Sequence, residues 1–229
     1  MILRAFFAAL GQLPDPRFRG VLLRGIGLTI ALLIAVYAAL LWVIDRLTTE
    51  PLVLPFVGEV TWVGDLLGWG SLVVVLLMSV FLMIPVASAI TSMFLDEVAQ
   101  AVEDQHYPHL PPVQGVGFTD GLRDTVSFLG LLIGANLGAL VLYLIFPFAA
   151  LFIFYGLNGF LLGREYFQLA AMRRLGRAGA KALRKQHQAT IWVAGCLMAL
   201  PLSVPLLNLI VPILGAATFT HLYHNLNRD

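Results

Sequence analysis

Residues 25–44 read GIGLTIALLIAVYAALLWVI, a run of twenty positions without a charged side chain. A helix of about 20 apolar residues spans the ~30 Å hydrocarbon core of a bilayer. Three more charge-free blocks follow, at residues 66–95, 125–163 and 188–220. The 229-residue chain is 59% hydrophobic and 12% charged, with a mean hydropathy of +0.88, whereas average proteins carry about 25% charged residues. The sequence therefore predicts an all-α integral membrane protein that forms a single membrane domain over residues 1–229.

The lengths of the four blocks predict two kinds of membrane element. The first block predicts one spanning helix at 21–45, and the second predicts a long spanning helix with an acidic cytoplasmic extension at 66–105. The other two blocks contain prolines and are too short for two full crossings and a turn, which need more than about 40 residues. We therefore predict two Pro-broken, half-penetrating helical hairpins, at 125–163 and 188–224. Non-helical backbone at that depth requires cover from protein or water.

The segments between the blocks carry nearly all of the charge. If both hairpins return to the side from which they start, thirteen of the 14 Lys and Arg residues lie on one face, and the opposite face holds only Arg46. The positive-inside rule then places the basic face and the N-terminus in the cytoplasm. Residues 1–20 predict an interfacial helix and a loop, residues 51–64 a short extracytoplasmic loop, and residues 164–187 a basic amphipathic helix. We expect the basic helix to contact anionic headgroups or to pair with the acidic extension.

Small residues indicate where helices approach closely. Gly156, Gly159 and Gly163 are spaced by three and four, which favours close packing against another helix. Cys196 is the lone cysteine and lies within an apolar run, so we expect it to be a small packing residue and exclude internal disulfides.

The stretch LPDPRFRG at 13–20 predicts a candidate anion site before the first spanning helix. Asp15 is suited to cap a helix that begins at Pro16. Arg17 and Arg19 then lie in the first turn, where unpaired N–H groups and the helix dipole favour an anion and guanidinium groups suit oxyanions. A simpler interpretation is that these arginines set the topology and reach the headgroups. An ionised Asp15 would also compete with a bound anion.

Polar residues inside apolar blocks are candidates for lining a transport path or for structural roles; they are Asn136, Asn158, Asn208 and Glu165. We expect the Asn208 side chain to hydrogen-bond backbone groups that the neighbouring prolines leave without partners. We expect Glu165 to pair with Arg19, Arg123 or Arg164, with proton coupling as the alternative.

The sequence gives no sign of an enzyme, a cofactor or a bound metal. It contains no Gly-rich phosphate loop, nucleophile elbow or metalloprotease helix. His221 and His224 lack a third ligand nearby, so we interpret them as interfacial residues rather than a zinc site. A net charge of +1 gives no indication of nucleic-acid binding.

Four longer stretches together resemble the CysZ sulfate-permease family, whose superfamily includes the eukaryotic etoposide-induced endoplasmic-reticulum membrane proteins. The stretches are ALGQLPDPRFRG (9–20), LDEVAQAVEDQHYPHLPP (95–112), NGFLLGREYFQLAAMRR (158–174) and PLLNLIVPILGAATFTHLYH (205–224). The resemblance implies two long spanning helices and two half-penetrating hairpins in a bacterial inner membrane. It also implies a homo-oligomer that passes sulfate into the cytoplasm for cysteine synthesis, without an ATP-hydrolysing partner.

In that family, sulfate is associated with a Pro-Gly-Leu-Arg-Arg-like segment, which matches Pro16 to Gly20 here. Arg19 corresponds to the first family arginine and Phe18 to the leucine, while Gly20 replaces the second arginine and Arg17 replaces the glycine. The resemblance therefore implies anion binding by Arg19, Arg17, Phe18 and Gly20. The alternatives are a permease for another oxyanion, such as sulfite or thiosulfate, and a non-transporting protein that organises membrane lipid or binds partners.

Overall fold

The structure is a computed structural model that describes residues 1–47, 52–54, 58–60, 83, 86–87, 90–113 and 118–228. Its helices are α1 (Ile2–Gly11), α2 (Pro16–Leu47), α3 (Leu95–His106), α4 (Phe118–Ile145), α5 (Ala150–Gln186), α6 (Gln188–Ala199), α7 (Pro205–Asn208) and α8 (Val211–Leu226). Short 3-10 turns lie at Pro147–Ala149 and Leu200–Ser203. The predicted helical fold class is confirmed. The described part of the chain also holds a small antiparallel hairpin, β1 (Leu52–Leu54) and β2 (Gly58–Val60), in which Val53 pairs with Glu59.

Three of the described helices are long and apolar enough to cross a membrane: Pro16–Ala39, Thr119–Ile145 and Pro147–Gln186. The first of them contains most of the opening charge-free block, so the predicted helix there is confirmed. In the most apolar window of Thr119–Ile145 only 6% of the residues are buried by the protein. Such a bare apolar surface is typical of a helix that faces lipid. The apolar part of the predicted long helix at 66–105 lies mostly outside the described residues.

The predicted hairpin at 125–163 turns where expected, but its arms are longer than predicted. Helix α4 has 28 residues, and it ends at Ile145 directly before the turn at Pro147. Proline lacks the N–H that would continue the helix, which explains the break. At ~1.5 Å per residue, α4 rises about 42 Å, enough for a full crossing. The length of α4 does not require this hairpin to stop halfway through the membrane, so half-penetration stays a prediction.

Helix α5 does not break at the predicted boundary between the hairpin and the basic helix. It runs through residues 163 and 164 without a break, and bends instead at Gly176, where φ is 65° and ψ is 180°. A positive φ is readily adopted by glycine, which has no Cβ. The basic segment is therefore two pieces, one continuous with the apolar part of α5 and one, residues 177–186, leading into α6.

The acidic extension is a separate helix rather than a continuation of the preceding one. Residues 90–92 are helical, a turn occupies Met93 and Phe94, and α3 begins at Leu95. The N–H of Phe94 donates to the carbonyl of Thr91 at 2.9 Å, a three-residue spacing that interrupts the α-helical ladder. Asp96 and Glu97 lie in the first turn of α3 and favour a helix start there.

The predicted close packing of glycines is confirmed between α5 and α6. A Cβ added at Gly163 would lie 2.6 Å from the carbonyl oxygen of Ile191, and one at Gly159 would lie 2.7 Å from the backbone nitrogen of Cys196. The helices can approach this closely only because those side chains are absent. Cys196 is half-buried at this contact, as expected of a small packing residue.

The core of the protein surrounds α8. Almost every described side chain of this helix is buried, including Phe219, Leu222 and Tyr223. Helices α1, α3 and α5 contact α8 and bring together the segments that the charge pattern assigns to one face. The C-terminal hairpin is built from α6 and α8, of 12 and 16 residues, on either side of the Pro-rich break. Its arms are short for full crossings, and half-penetration of this hairpin stays a prediction.

Candidate functional site

The four predicted anion-site residues, Arg17 to Gly20, lie in the first turns of α2. Phe18 is 1% exposed and belongs to the main hydrophobic core, so it anchors the start of the helix. Arg17 and Arg19 point to the surface on either side of it. The local fold therefore presents two guanidinium groups from one rigid turn.

Two of the free amides expected at this helix start are already occupied. The Arg17 N–H donates to the Asp15 carboxylate at 2.8 Å, and the Arg19 N–H donates to the Asp15 carbonyl at 3.1 Å. Gln12 holds the carboxylate with a bond of 3.2 Å and donates at 3.2 Å to the Ala101 carbonyl. The predicted cap is confirmed, but these two amides are not available to a ligand. The reason is that the carboxylate and the backbone carbonyl of Asp15 accept these hydrogen bonds first.

Arg17 is also neutralised by the protein. Its guanidinium pairs with Asp104 at 2.5 Å, and Gln100 donates to the same carboxylate at 2.7 Å. The hydrogen bonds from Arg17 and Gln100 lower the pKa of Asp104. Two turns further along α2, Arg24 binds Glu97 through both guanidinium nitrogens, one of them at 2.8 Å, and lowers the pKa of that carboxylate. The acidic helix α3 thus supplies counter-charges for the arginines of α2.

Arg19 differs from both neighbours. Its side chain is exposed, and among the described residues it makes no hydrogen bond or ion pair. Gly20 is half-buried, and a Cβ added there would meet no atom within 4 Å. Within the predicted segment, Arg19 is therefore the arginine without an internal partner in the described structure.

A buried ionic network that the sequence analysis missed lies on the opposite face of α3. Glu103 is 2% exposed; Arg174 donates to it at 3.0 and 2.9 Å, His224 lies 2.9 Å away, and Arg173 lies 3.4 Å away. Burial alone would raise the pKa of Glu103, but His224, Arg174 and Arg173 together lower it to about 2. The carboxylate is therefore ionised and locks α3, α5 and α8 to one another.

The interpretation of His221 and His224 as interfacial residues is wrong. Both are buried, at 5% and 7% exposure, and the Nδ1 atom of His221 lies 3.0 Å from the Tyr107 hydroxyl. Burial lowers the pKa of His221 to about 4, with smaller effects from His106 and His224. Their position follows from the packing of α8 against α3, which no local pattern in the C-terminal sequence indicates.

Two of the three candidate asparagines donate hydrogen bonds to their own helices. The Asn136 amide donates to the Leu132 carbonyl at 2.8 Å, and Asn158 donates to Phe154 at 2.9 Å. Asn136 is exposed on the bare surface of α4, and Asn158 is half-buried. Asn208 is half-buried in α7, and its side chain makes no hydrogen bond within the described chain. The expected hydrogen bonds from Asn208 to backbone groups near Pro205 are therefore not observed.

Glu165 makes no ion pair with any described residue, so the expected partners Arg19, Arg123 and Arg164 do not bind it. It is half-buried and lines a cavity of about 320 Å³ with Asp124 and Gln168. Arg164 instead approaches Ser127 at 3.5 Å and lies over the Phe128 ring.

These features define an α-helical membrane protein in which bare apolar helices adjoin a charged, well-packed region. The chain matches the sequence model of the family described as Sulfate transporter CysZ/Etoposide-induced protein 2.4 over residues 5–212. That match covers most of the chain, so the protein belongs to this family, and the suspected resemblance is confirmed. Neither curated proteins nor solved structures gave a match.

Proposed function

We propose that the protein is a permease that passes sulfate down its gradient across a bacterial inner membrane, supplying cysteine synthesis. Membership of a family described as sulfate transporters supports this function, as do three apolar helices of sufficient length. Homo-oligomerisation would cover the exposed apolar surface of α4, where Asn136 lies. The permease acts without a cofactor and without nucleic acid, with membrane lipid as its surroundings.

The observation that supports a role for one particular residue is that Arg19 has no ion-pair partner in the described structure. Arg17 and Arg24 are neutralised by Asp104 and Glu97, whereas the Arg19 guanidinium faces outward without a counter-ion in the described structure. A planar guanidinium can donate two parallel hydrogen bonds to sulfate. Arg17 lies two residues away, so an arriving dianion would compete with Asp104 for it.

The basic face is proposed to be cytoplasmic. It holds the start of α2, all of α3, the charged part of α5 and the end of α8, which are joined by the ionic contacts of Glu103 and Asp104. Lys and Arg concentrate on the cytoplasmic side of membrane proteins. Asn136, Asn158, Asn208 and Glu165 stay candidates for the path between this face and the opposite one.

One observation favours the alternative of a non-transporting membrane organiser. Two of the helix-start amides and the Arg17 side chain are satisfied internally, which leaves Arg19 as the one arginine of the segment without an internal partner in the described structure. Under this alternative, Arg19 contacts lipid headgroups, and the exposed helices bind lipid or partner proteins. A permease for sulfite or thiosulfate is the remaining alternative, because the same cation suits any small oxyanion.

Uptake of labelled sulfate into proteoliposomes tests the proposal. We expect flux above that of empty vesicles, and a rise in apparent KM of about tenfold or more in Arg19→Gln, since a charge-assisted hydrogen bond contributes about 1.5–3 kcal/mol. Arg4→Gln is the matched control, because Arg4 is an exposed arginine of α1 on the same face. Competition by sulfite and thiosulfate ranks the oxyanions.

The results separate the claims. Absence of flux in the wild type removes the transport proposal and leaves the organiser. Flux that is equally affected by Arg19→Gln and Arg4→Gln retains transport but removes the role of Arg19.

A further inference from the structure

A second basic surface is formed by α5 and α6 and includes no residue from the start of α2. It is a cavity of about 220 Å³ between the two pieces of α5 and the beginning of α6. Its lining residues are Phe160, Arg164, Lys181, Arg184, Lys185, Gln188, Ile191 and Trp192. Four of these side chains are cationic and none is a carboxylate.

The fold brings these cations together through the bend at Gly176. The bend separates Arg164 on the first piece of α5 from Lys181, Arg184 and Lys185 on the second. The last three are spaced by three and four residues and share one helix face. Helix α6 closes the cavity, because its tight glycine contact with α5 holds Trp192 beside Gly156, whose carbonyl accepts the indole N–H at 2.9 Å.

The cations of this cavity lack the partners that other cations of α5 have. Arg173 and Arg174 bind Glu103, and Arg177 lies 3.7 Å from Asp124. By contrast, the polar and aromatic partners of Arg164 among the described residues are the Ser127 hydroxyl and the Phe128 ring. In the part of the chain that the structure describes, Lys181, Arg184 and Lys185 make no ion pair.

Such a cluster is electrostatically unfavourable unless an anion occupies it. Like charges that converge disfavour one another, and the effect grows where water is partly excluded. The carboxylate that acts electrostatically on Arg184 is that of Asp124, which is already engaged by Arg177 and by Gln168 at 3.3 Å. An external anion would offset the remaining charge.

We propose that this cavity binds a tetrahedral oxyanion, either free sulfate or phosphate or the phosphate of an anionic lipid headgroup. Two guanidinium groups offer paired donors and two ammonium groups add compact charges, a set that suits such an anion. Trp192 is 46% exposed, and with Phe160 it adds the aromatic surface found at the level of headgroups. The site shares no residue with the Arg19 segment and does not depend on sulfate transport.

Lysine footprinting gives a direct test, because Lys181 and Lys185 are the only lysines in the sequence. Reductive methylation of the purified full chain is followed by mass spectrometry, with sodium sulfate compared with sodium chloride at equal ionic strength in detergent. At an anion concentration ten times Kd, methylation should slow by about tenfold. An Arg123→Lys variant supplies a reporter lysine on the exposed part of α4 outside the cavity, where we expect no protection.

A second pair of samples distinguishes the source of the oxyanion. Nanodiscs of phosphatidylcholine are compared with nanodiscs that also contain phosphatidylglycerol, without added sulfate. Protection in detergent by sulfate identifies a free oxyanion as ligand, and protection only with phosphatidylglycerol identifies the lipid headgroup.

Single variants link the protection to the cavity. Arg164→Gln and Arg184→Gln each leave both reporter lysines in place and should reduce protection severalfold, whereas Arg123→Gln should not. The proposal is overturned if neither sulfate nor phosphatidylglycerol slows methylation, or if the Arg123→Lys side chain is protected equally. It is also overturned if Arg123→Gln and Arg184→Gln have the same effect. None of these outcomes depends on sulfate flux, so the site and the transport function can fail separately.

Discussion

Helix α3 carries acidic residues on two faces, and the two faces differ in what surrounds the charge. Glu103 is 2% exposed and is bound by two arginines and a histidine from α5 and α8. Glu97 and Asp104 bind Arg24 and Arg17 of α2 at the open surface, where about half of each side chain is exposed. The chemistry of the pairs is similar, so burial is what separates them.

The difference has a physical consequence for each face. A buried carboxylate that loses a partner, or a buried arginine that loses its carboxylate, stays uncompensated in a low dielectric. An exposed pair exchanges its partner for water at little cost. We infer that the Glu103 face fixes the packing of the helices, whereas the Arg17 and Arg24 face can open when an anion arrives.

The largest expected effect is that of Glu103→Gln. The substitution removes the carboxylate partner of Arg174 and His224 and leaves Arg173 with the exposed Asp96 at 3.4 Å, and we expect it to lower the free energy of unfolding by about 3–5 kcal/mol. Glu97→Gln removes the same charge from the exposed face of the same helix and should cost much less. Chemical denaturation of both variants in detergent measures the contrast. Equal losses would show that burial does not distinguish the two faces.

The second-largest effect is expected from acidification, which should lower the stability of the packing around the buried face of α3. The ordinary pKa of histidine is about 6.5, and that of folded His221 is about 4, so the unfolded state binds more protons between those values. Stability is therefore lost as the pH falls from about 6.5 to 4, by up to about 3 kcal/mol. Below about 4.5, the unfolded chain protonates Glu103 while the folded carboxylate, with a pKa of about 2, stays ionised, so stability falls further.

Thermal unfolding from pH 7.5 to 4.5 measures this slope. The groups that face His221 are His106, Tyr107 and His224. His221→Asn keeps a polar atom near the Nδ1 position and should flatten the profile, whereas His109→Asn, at an exposed loop position, should leave it unchanged. A profile that stays equally steep in His221→Asn would contradict the assignment.

A smaller effect is expected where charge plays no part. Gly163→Ala introduces a methyl group 2.6 Å from the Ile191 carbonyl oxygen, so α5 and α6 must separate. Overpacking of this kind costs about 1–3 kcal/mol. Gly130→Ala is the matched control on α4, because an added Cβ meets no atom within 4 Å there. A loss in Gly130→Ala as large as in Gly163→Ala would mean that helix packing is not the cause.

The sequence predicted those parts of the fold that depend on composition and local chemistry. The charge-free block predicts α2, Pro147 marks a hairpin turn, and Asp15 caps the helix as expected. The bend at Gly176 was missed, because α5 contains several glycines and only one of them adopts a positive φ.

The partners of the charged residues were harder to predict. They depend on which helices meet, and charge asymmetry gives only the side of the membrane. The position of Glu103 could have been a signal, since it lies four residues after Ala99 and eight after Leu95, on the buried face of α3. Nothing in the local sequence indicates that α8 supplies His224 to this carboxylate, because the two residues are 121 positions apart.

The smallest expected effect concerns the exposed pair of Arg17 and Asp104. Both side chains are about half-exposed, at 56% and 44%, so a double-mutant cycle with Arg17→Gln and Asp104→Asn should give a coupling below about 1 kcal/mol, and less at high salt.

The same pair should matter more for anion binding, because Asp104→Asn frees Arg17 beside Arg19. We expect tighter sulfate binding in Asp104→Asn by isothermal titration calorimetry, while Asp120→Asn, an acidic change at an exposed position in the first turn of α4, leaves it unchanged. A coupling of several kcal/mol would place this pair with the buried face of α3, and unchanged binding in Asp104→Asn would remove Arg17 from the anion site.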